Sequence, residues 1–304
     1  YIISCQKNSV LFLPFNYLFS IRVINFINKF CKKKIIIFCH SELEGIIVNN
    51  QKVGLLHKIL NKLSRNFFLN KNIEISEYLY FSVLGDVIKQ NMGRIIDEKK
   101  ASKFISIDHP YLFDKLKTTI KNNNDKLRLA TVGSINKSKG LYTFLEFAKK
   151  INSSIFNKIE LSIIGTVHED VSLFKSTEIK LSSKNNNMLS REEFNLNLIN
   201  LDYILFFYPS YSYKITASGA IMDAINYEKP VLAIKNDYFD YLFKKYGDFG
   251  VLFENLGEMI EYIENASLDS FKNEINFEIL KMKLSPEVIS KQFKEKLASL
   301  NLIK

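Results

Sequence analysis

One stretch of the chain guides the interpretation of the rest, because it joins a polar loop, the start of a helix and a buried strand. Residues 211–233 read YSYKITASGAIMDAINYEKPVLA. The pattern predicts a helix that begins near Ala217 or Ser218. A turn at Glu228-Lys229, followed by Pro230, predicts a buried strand. The stretch is therefore interpreted as one αβ unit of an α/β protein.

The Ser-Gly pair in this stretch, Ser218-Gly219, is a candidate ligand site. Backbone N–H groups in the first turn of a helix lack partners and lie at the positive end of the helix dipole, where a phosphate or a sugar hydroxyl can bind. Asp223 follows about one and a half turns later, close enough to share such a site. The alternative is a helix that the serine only caps, as serine commonly does.

Composition limits the class of protein. The chain has 304 residues, of which 47% are hydrophobic, so two domains of ordinary size with packed cores are expected. Its three cysteines, Cys5, Cys31 and Cys39, show neither a metal-binding spacing nor a paired framework, which favours a reducing cytoplasm. The sequence contains no signal-peptide pattern and no apolar run long enough to span a bilayer.

The positive charge is concentrated in the first part of the chain. The net charge is +10; up to Pro110 there are 16 Lys and Arg against 8 Asp and Glu, a balance of +8, which leaves +2 for the remainder. Such asymmetry is typical of proteins that bind nucleic acid, an anionic membrane surface or a phosphorylated substrate. Nucleic acid is disfavoured, because the chain has no zinc-finger spacing, no RNA-binding aromatic signature and no Arg-rich arm.

Strands and helices alternate through the first part of the chain. Strands are predicted at 9–13, 35–39, 78–84 and 103–107, and helices at 16–30, 53–68 and 85–92. The first helix is followed by Lys32-Lys33-Lys34, and with this basic end it could lie on a membrane surface as interfacial helices do. A helix packed on a parallel sheet is favoured, because such a helix must be apolar on one side in any case.

A second alternating pattern follows a polar segment. We assign residues 111–126 as a linker between a first domain, 1–110, and a second, 127–304, that includes the final helices. In the second domain, strands are predicted at 127–133, 160–165, 201–207, 230–233 and 249–253, and helices at 141–151, 190–198, 256–266 and from Ser285-Pro286 onward. The fold class is therefore α/β, with two doubly wound Rossmann-like domains facing a cleft.

His40 is the first candidate catalytic residue. It directly follows a strand that is apolar throughout, and in open α/β sheets ligands bind beyond the carboxyl ends of the strands. A histidine there can donate to a substrate hydroxyl or transfer a proton, or it can simply stabilise the loop. Glu42 and Glu44 are candidates for contact with an acceptor, although acidic residues are also common in the first turn of a helix.

Four landmarks of the second half occur together in one order. Gly133 ends a strand and is followed six residues later by Lys139-Gly140; Gly165 ends the next strand; Pro209-Ser210 follows a third; and the block Thr216 to Ala233 comes last. In this, the chain resembles the C-terminal domain of GT-B glycosyltransferases, specifically the retaining, metal-independent group called glycosyl transferases group 1. The resemblance implies a GT-B fold.

The resemblance also implies roles for individual residues. Lys139 would contact the diphosphate of a sugar nucleotide as a catalytic cation, and His40 would lie near the donor sugar. Asp223 would accept hydrogen bonds from the ribose hydroxyls. The donor-binding set is Gly133, Ser134, Lys137, Gly140, Gly165, Lys214, Ser218, Gly219 and Asp223. The acceptor-side candidates are Glu42 and Glu44, and no metal site is predicted.

The chain departs from the family pattern at three positions. Ser134 stands where the family usually has arginine, so a phosphate contact is lost unless Lys137 of the same loop replaces it. Ile215 and Asp223 stand where the family has the two glutamates of its Glu-x7-Glu motif. The resemblance further implies roughly 50–70 residues ahead of Tyr1 in a full N-terminal domain.

The function that the resemblance implies is sugar transfer. A nucleotide-sugar donor, bound as substrate without a cofactor, would pass its sugar to a glycan or lipid-linked acceptor hydroxyl in bacterial surface polysaccharide synthesis. The expected location is the cytoplasm, or the inner face of the plasma membrane through an anionic lipid surface, and no nucleic acid partner is expected. Alternatives are a catalytically silent GT-B-like subunit that binds glycan or a partner, a basic surface-binding protein, and a sugar-nucleotide epimerase.

Overall fold

The computed structural model describes residues 9–14, 18–40, 42–47, 55–114, 126–183, 187–265 and 275–303. The chain divides into two units. The first comprises residues up to Tyr111, the short segment Tyr213–Ala217, and the chain from Leu284 onward. The second comprises Leu112–Ser212 and Ser218–Lys283.

The elements of the first unit, in chain order, are β1 (Val10–Leu13), α1 (Leu18–Cys31), β2 (Lys34–Phe38), α2 (Glu44–Ile47), α3 (Leu55–Leu69), β3 (Leu79–Leu84), α4 (Asp86–Gly93), α5 (Glu98–Ala101) and β4 (Phe104–Ile107). The second unit contains β5 (Leu127–Val132), α6 (Leu141–Lys150), β6 (Ile159–Ile164), β7 (Ile179–Leu181), α7 (Arg191–Ile199), β8 (Tyr203–Phe206), α8 (Ala220–Asn226), β9 (Val231–Ile234), α9 (Asp237–Tyr246), β10 (Gly250–Phe253), α10 (Leu256–Asn265) and α11 (Phe277–Lys283). The last helix, α12 (Pro286–Ser299), returns to the first unit.

The first sheet is parallel and runs in the order β1-β2-β3-β4. One face is covered by the end of α3, where Phe67 and Phe68 contact Phe81, and Phe68 also contacts Phe104. Because the described strands follow chain order, the connecting helices lie on this same face. The opposite face therefore needs cover from elsewhere in the chain.

Helix α12 supplies that cover. Phe293 packs edge-on against Phe38, and Leu297 belongs to an apolar cluster with Ile36 and Ile105 of the sheet. The hydroxyl of Ser285 accepts from the N–H of Val288 and Pro286 occupies the first turn, which confirms the predicted start of the helix. The grouping differs from the domain prediction, which assigned 127–304 to the second domain, because the apolar side of α12 completes the core of the first.

The second sheet is doubly wound. Its six parallel strands run in the order β10-β9-β8-β5-β6-β7, so the direction of winding reverses between β5 and β8. On one face, Phe144 and Phe147 of α6 pack against Phe207. On the other, Phe239 of α9 packs against Phe206 and Tyr208. Helices on both faces of a parallel sheet confirm the predicted α/β class.

Most predicted elements are present. The helix predicted at 190–198 is confirmed as α7, and it begins with a capping box in which Ser190 and Glu193 accept from each other's backbone N–H groups. The sequence interpretation did not identify β7 or α9. Of the predicted linker 111–126, residues 115–125 lie outside the described part. Among the described helices, none has both the length and the apolar character needed to cross a bilayer.

We expect Leu297→Ala to lower the free energy of unfolding by about 2–5 kcal/mol, because it leaves a cavity between α12 and the first sheet. Leu297 is 2% exposed, whereas Leu300 is 42% exposed and serves as the matched control. Leu300→Ala should change the stability by no more than about 0.5 kcal/mol. Urea denaturation of both variants checks this, and equal effects would show that α12 is not part of the core.

Candidate functional site

The reversal between β5 and β8 marks the place where a ligand site is expected. These two strands are neighbours, with Leu129 opposite Tyr203, yet the chain leaves them toward opposite edges of the sheet. The loops that follow their carboxyl ends therefore separate and leave a crevice between them, which is where open α/β sheets bind ligands. The candidate donor residues of the second unit lie in or close to these loops.

The loop after β5 is a short, well-bonded turn. Asn136 accepts from the N–H of Lys139 at 3.1 Å and from the hydroxyl of Ser138 at 2.7 Å. The three residues 137–139 form one turn of 3-10 helix, and Gly140 ends it in the left-handed region, with φ of 79°. Lys137 is exposed and Lys139 is half-buried. The loop thus carries two cations on a backbone that its own hydrogen bonds fix.

Gly140 is required where it stands. A Cβ at this position would lie 1.9 Å from the carbonyl oxygen of Phe207, just after β8. The loops after β5 and β8 also bond directly, since the Ser212 hydroxyl donates to the Ser138 carbonyl at 2.7 Å. Because residue 140 is glycine, the loop of Lys137 and Lys139 can lie directly against the end of β8.

The loop after β6 is joined to the loop after β5. Gly165 has φ of 137°, and a Cβ there would lie 2.1 Å from the Gly133 carbonyl oxygen. Beyond it, the Ile135 N–H donates to the Thr166 carbonyl at 2.8 Å, and the His168 N–H donates to the Ile135 carbonyl at 3.0 Å. The pairing of β5 with β6 thus continues past the ends of both strands.

Asp223 lies in the first turn of α8, and its side chain is 18% exposed. Its Oδ1 is 3.9 Å from Nη2 of Arg191, which opens α7 and places its guanidinium over the ring of Phe194. Sequence reasoning did not single out Arg191, since nothing along the chain connects it with a residue 32 positions away. A carboxylate has two oxygens that accept hydrogen bonds, so Asp223 can bind a ligand hydroxyl beside this arginine.

The start of α8 differs from the prediction. The helix begins at Ala220, two to three residues later than expected, and has only seven residues. Gly219 precedes it without a side-chain cap, and the hydroxyl of Ser218 instead lies 3.2 Å from that of Tyr208. The capping alternative is therefore wrong, because the buried serine is engaged with the end of β8. Backbone donation by Ser218 and Gly219 to a ligand stays a prediction.

His40 lies at the carboxyl edge of the first sheet. Its Nε2 is 3.1 Å from the Pro14 carbonyl oxygen, so Nε2 carries a proton and donates. Its backbone N–H donates to Glu42 Oε2 at 2.6 Å, and its carbonyl accepts from the Thr216 hydroxyl at 3.0 Å. Glu42 therefore stabilises the loop that carries His40. Contact of either residue with a substrate stays a prediction.

His109 reaches the same edge from the end of β4. Burial lowers the pKa of His109 below its usual value, and the nearby His40 lowers it further. Its Nδ1 lies 2.9 Å from the Pro110 carbonyl oxygen. The imidazole is therefore neutral at pH 7. No sequence pattern marked this residue, because it lies about seventy positions from His40 in the chain.

Two further predicted positions belong to the first unit. Lys214 accepts at its carbonyl from Asn91 Nδ2 at 2.8 Å, and the next residue, Ile215, is buried. Lys214 therefore groups with His40, Glu42 and Glu44, while the other members of the donor-binding set belong to the second unit. Glu44 begins the four-residue helix α2. Across the described ranges, no group of three or more His, Cys, Asp and Glu side chains could hold a metal ion.

Comparison with solved structures identifies the class of fold. The chain matches TarM, with a TM-score of 0.61 and 15% identity over 99% of this chain and 56% of that one. It matches the apo form of the lipopolysaccharide outer core galactosyltransferase WaaB, with a TM-score of 0.60 and 12% identity over 97% of this chain and 76% of that one. These neighbours are GT-B glycosyltransferases, so the GT-B fold is confirmed.

A third neighbour carries ligands. It is the pneumococcal O-GlcNAc transferase GtfA, solved with UDP and GlcNAc, with a TM-score of 0.55 and 14% identity over 97% of this chain and 56% of that one. The chain thus spans little more than half the length of TarM and GtfA. No protein-family model matches the chain, and no curated protein matches it.

We expect Gly140→Ala to lower the free energy of unfolding by about 2 kcal/mol or more, because the new methyl group meets backbone and φ is positive. Gly93→Ala is the matched control, since its Cβ would meet nothing nearer than 3.9 Å. It should be neutral or slightly stabilising. Urea denaturation distinguishes the two, and an equally mild Gly140→Ala would contradict the close approach to β8.

Proposed function

We propose that the chain is a glycosyltransferase that moves a sugar from a nucleotide-sugar donor to a hydroxyl of a glycan or lipid-linked acceptor. The observation that carries the proposal is the glycine-bounded loop of Lys137 and Lys139 at the winding reversal of the second sheet. Two GT-B neighbours support the choice of donor, since S. aureus TarM and GtfA were both solved with UDP.

In this proposal, the loop after β5 binds the diphosphate. Lys139 provides a point charge close to the leaving oxygen, where negative charge increases as the glycosidic bond breaks. Asp223 accepts from the ribose hydroxyls, and Arg191 lies beside that carboxylate. Gly133 has no side chain and a Cβ there would meet nothing within 4 Å, so the space beside it is open to the phosphates, and Gly165 lets the loop after β6 lie directly against Gly133.

The chemical course is taken from the resemblance. The anomeric configuration is retained, and the departing diphosphate accepts the proton of the acceptor hydroxyl. Rate acceleration then comes from positioning of the two substrates and from stabilisation of the leaving group, with no metal requirement. His40 donates a hydrogen bond close to the transferred sugar, and Glu42 and Glu44 contact the glycan or lipid-linked acceptor. The wider role is bacterial surface polysaccharide synthesis.

A second candidate is a catalytically silent GT-B subunit. Ile215 is buried where the family has a polar glutamate, and Ser134 replaces an arginine. One neighbour with a TM-score of 0.58 and 11% identity is solved as a two-protein complex, GtfA/B. Nucleotide binding separates the two candidates, because the silent subunit has no need of a donor.

Nucleotide binding should raise the stability of the chain. UDP at a hundred times its dissociation constant should add about 2.7 kcal/mol to the free energy of unfolding. Lys139→Ala and Asp223→Asn should each abolish most of that gain, because they remove the phosphate and ribose contacts. Thermal unfolding with UDP, GDP and ADP checks this, with Lys149→Ala on the exposed side of α6 as the control.

If the parent is well folded and none of the three nucleotides stabilises it, the transferase proposal is contradicted and the silent-subunit candidate is favoured. If a nucleotide stabilised the parent and both site variants to the same extent, it would bind at a site other than that of Lys139 and Asp223. In the expected case, the nucleotide that produces the shift also identifies the base of the donor.

We also propose an anionic membrane surface as a partner. Phe26 and Phe30 of α1 are 65% and 73% exposed, and α3, which packs beside α1, exposes Leu55 and Leu56. Exposed lysines occur on the same two helices: Lys29 lies between the two phenylalanines in the sequence of α1, and Lys58 and Lys62 lie on α3. Apolar residues rimmed by cations suit the headgroup region of an anionic bilayer.

The full chain should sediment with vesicles that contain phosphatidylglycerol and not with vesicles of phosphatidylcholine alone. The double variant Phe26→Ser, Phe30→Ser should reduce binding at least about fivefold, because it removes the inserted apolar surface. Met188→Ser, at an exposed apolar residue of the second unit, is the control. Equal binding by the double variant and the parent, or no binding of the parent, would contradict the membrane proposal.

A further inference from the structure

The loop after β5 has a serine where the resembled family has arginine, and the imidazole of His168 lies next to that serine. Ser134, which stands where the resembled family has arginine, lies with its Oγ 2.6 Å from Nε2 of His168. His168 is the third residue after Gly165, at the start of the loop that follows β6. The sequence interpretation assigned it no role, because nothing along the chain connects it with Ser134.

The position of His168 is fixed by the backbone. The N–H of Gly133 donates to Ile164, the N–H of Thr166 donates back to Gly133 at 3.2 Å, and Ile135 continues the pairing with Thr166 and His168. This pairing depends on Gly165, which no larger residue can replace without overlap. The backbone of His168 is therefore bonded directly to the loop that carries Lys139, which keeps its exposed imidazole next to Ser134.

The charges of the loop that carries Ser134 favour an anion. The loop 133–140 contains Lys137 and Lys139 and no acidic residue. The acidic residues nearest in sequence to His168 are Glu169 and Asp170. Asp170 is engaged elsewhere, because its carboxylate accepts from the Ser172 N–H at 2.9 Å to cap the following turn.

The pair offers two hydrogen-bond donors. When Nε2–H of His168 donates to the Ser134 oxygen, the serine hydroxyl proton is free to donate onward to a phosphate oxygen. When the serine turns its hydroxyl away, Nε2–H can donate to the phosphate itself. In either arrangement the pair donates a hydrogen bond to a phosphate from the position at which an arginine would present its fork, so the serine and histidine together can take its place as a donor.

We propose that Ser134 and His168 together bind the diphosphate of the donor nucleotide, opposite Lys139, and replace the arginine that the family carries at the serine position. The inference rests on the proposed function, since it needs a nucleoside diphosphate in the crevice of the second unit. It adds His168 to the binding residues, and it predicts that the pair recognises the phosphates and contributes nothing to recognition of the base or the sugar.

The test compares UDP with uridine, which shares the base and ribose but has no phosphate. Affinities of the full chain are measured by calorimetry for the parent, His168→Ala, and the double variant Ser134→Arg, His168→Ala. We expect His168→Ala to weaken UDP about tenfold or more and to leave uridine unchanged. The arginine of the double variant should restore UDP affinity to within about threefold of the parent.

Lys175→Ala, at an exposed residue of the same loop, is the control and should bind UDP like the parent. Equal UDP binding by His168→Ala and the parent would overturn the proposal. So would a loss of UDP and uridine in the same proportion, which would show that the histidine only holds the two loops together. A parent that binds no nucleotide would instead refute the proposed function, and the two failures are therefore distinguishable.

Discussion

The candidate site depends on one constraint, the close approach of backbone to backbone at two glycines, Gly140 and Gly165. Gly165 lies against Gly133, and Gly140 lies against Phe207, at distances that exclude any side chain. These contacts extend the pairing of β5 and β6 beyond the sheet and bring the loop of Lys139 to the end of β8. The crevice at the winding reversal is therefore enclosed by fixed loops, which is the preorganisation that charge stabilisation requires.

The fold could be predicted largely from local patterns. Buried parallel strands are apolar throughout, and helices that cover them are apolar on one side, so segments such as Ile35 to Phe38 and Leu141 to Lys150 were identifiable from periodicity alone. The glycines at 133, 140 and 165 were also informative, because a strand that ends in glycine before a polar loop is typical of a close backbone approach. The GT-B class followed from their order.

What could not be predicted depends on contacts between distant residues. The return of α12 to the first sheet is decided by an uncovered apolar face, which the sequence does not display. The bond of Thr216 to His40 and the pairs Arg191–Asp223 and Ser134–His168 each join residues 32 or more positions apart. The late start of α8 has a local cause, because Ser218 bonds Tyr208 instead of capping the helix. Sequence reasoning thus identified the loops and missed the partners that orient their side chains.

Hydrogen–deuterium exchange of the full chain, with and without saturating UDP, tests the central claim most directly. The diphosphate is proposed to lie against the loops after β5 and β6, so slower exchange is expected in peptides that cover residues 133–140 and 165–168. Peptides of α10, remote in sequence from these loops, serve as the internal reference and should be unchanged. Nucleotide binding that leaves both loops unprotected, or that protects only segments of the first unit, would contradict the assignment of the donor site.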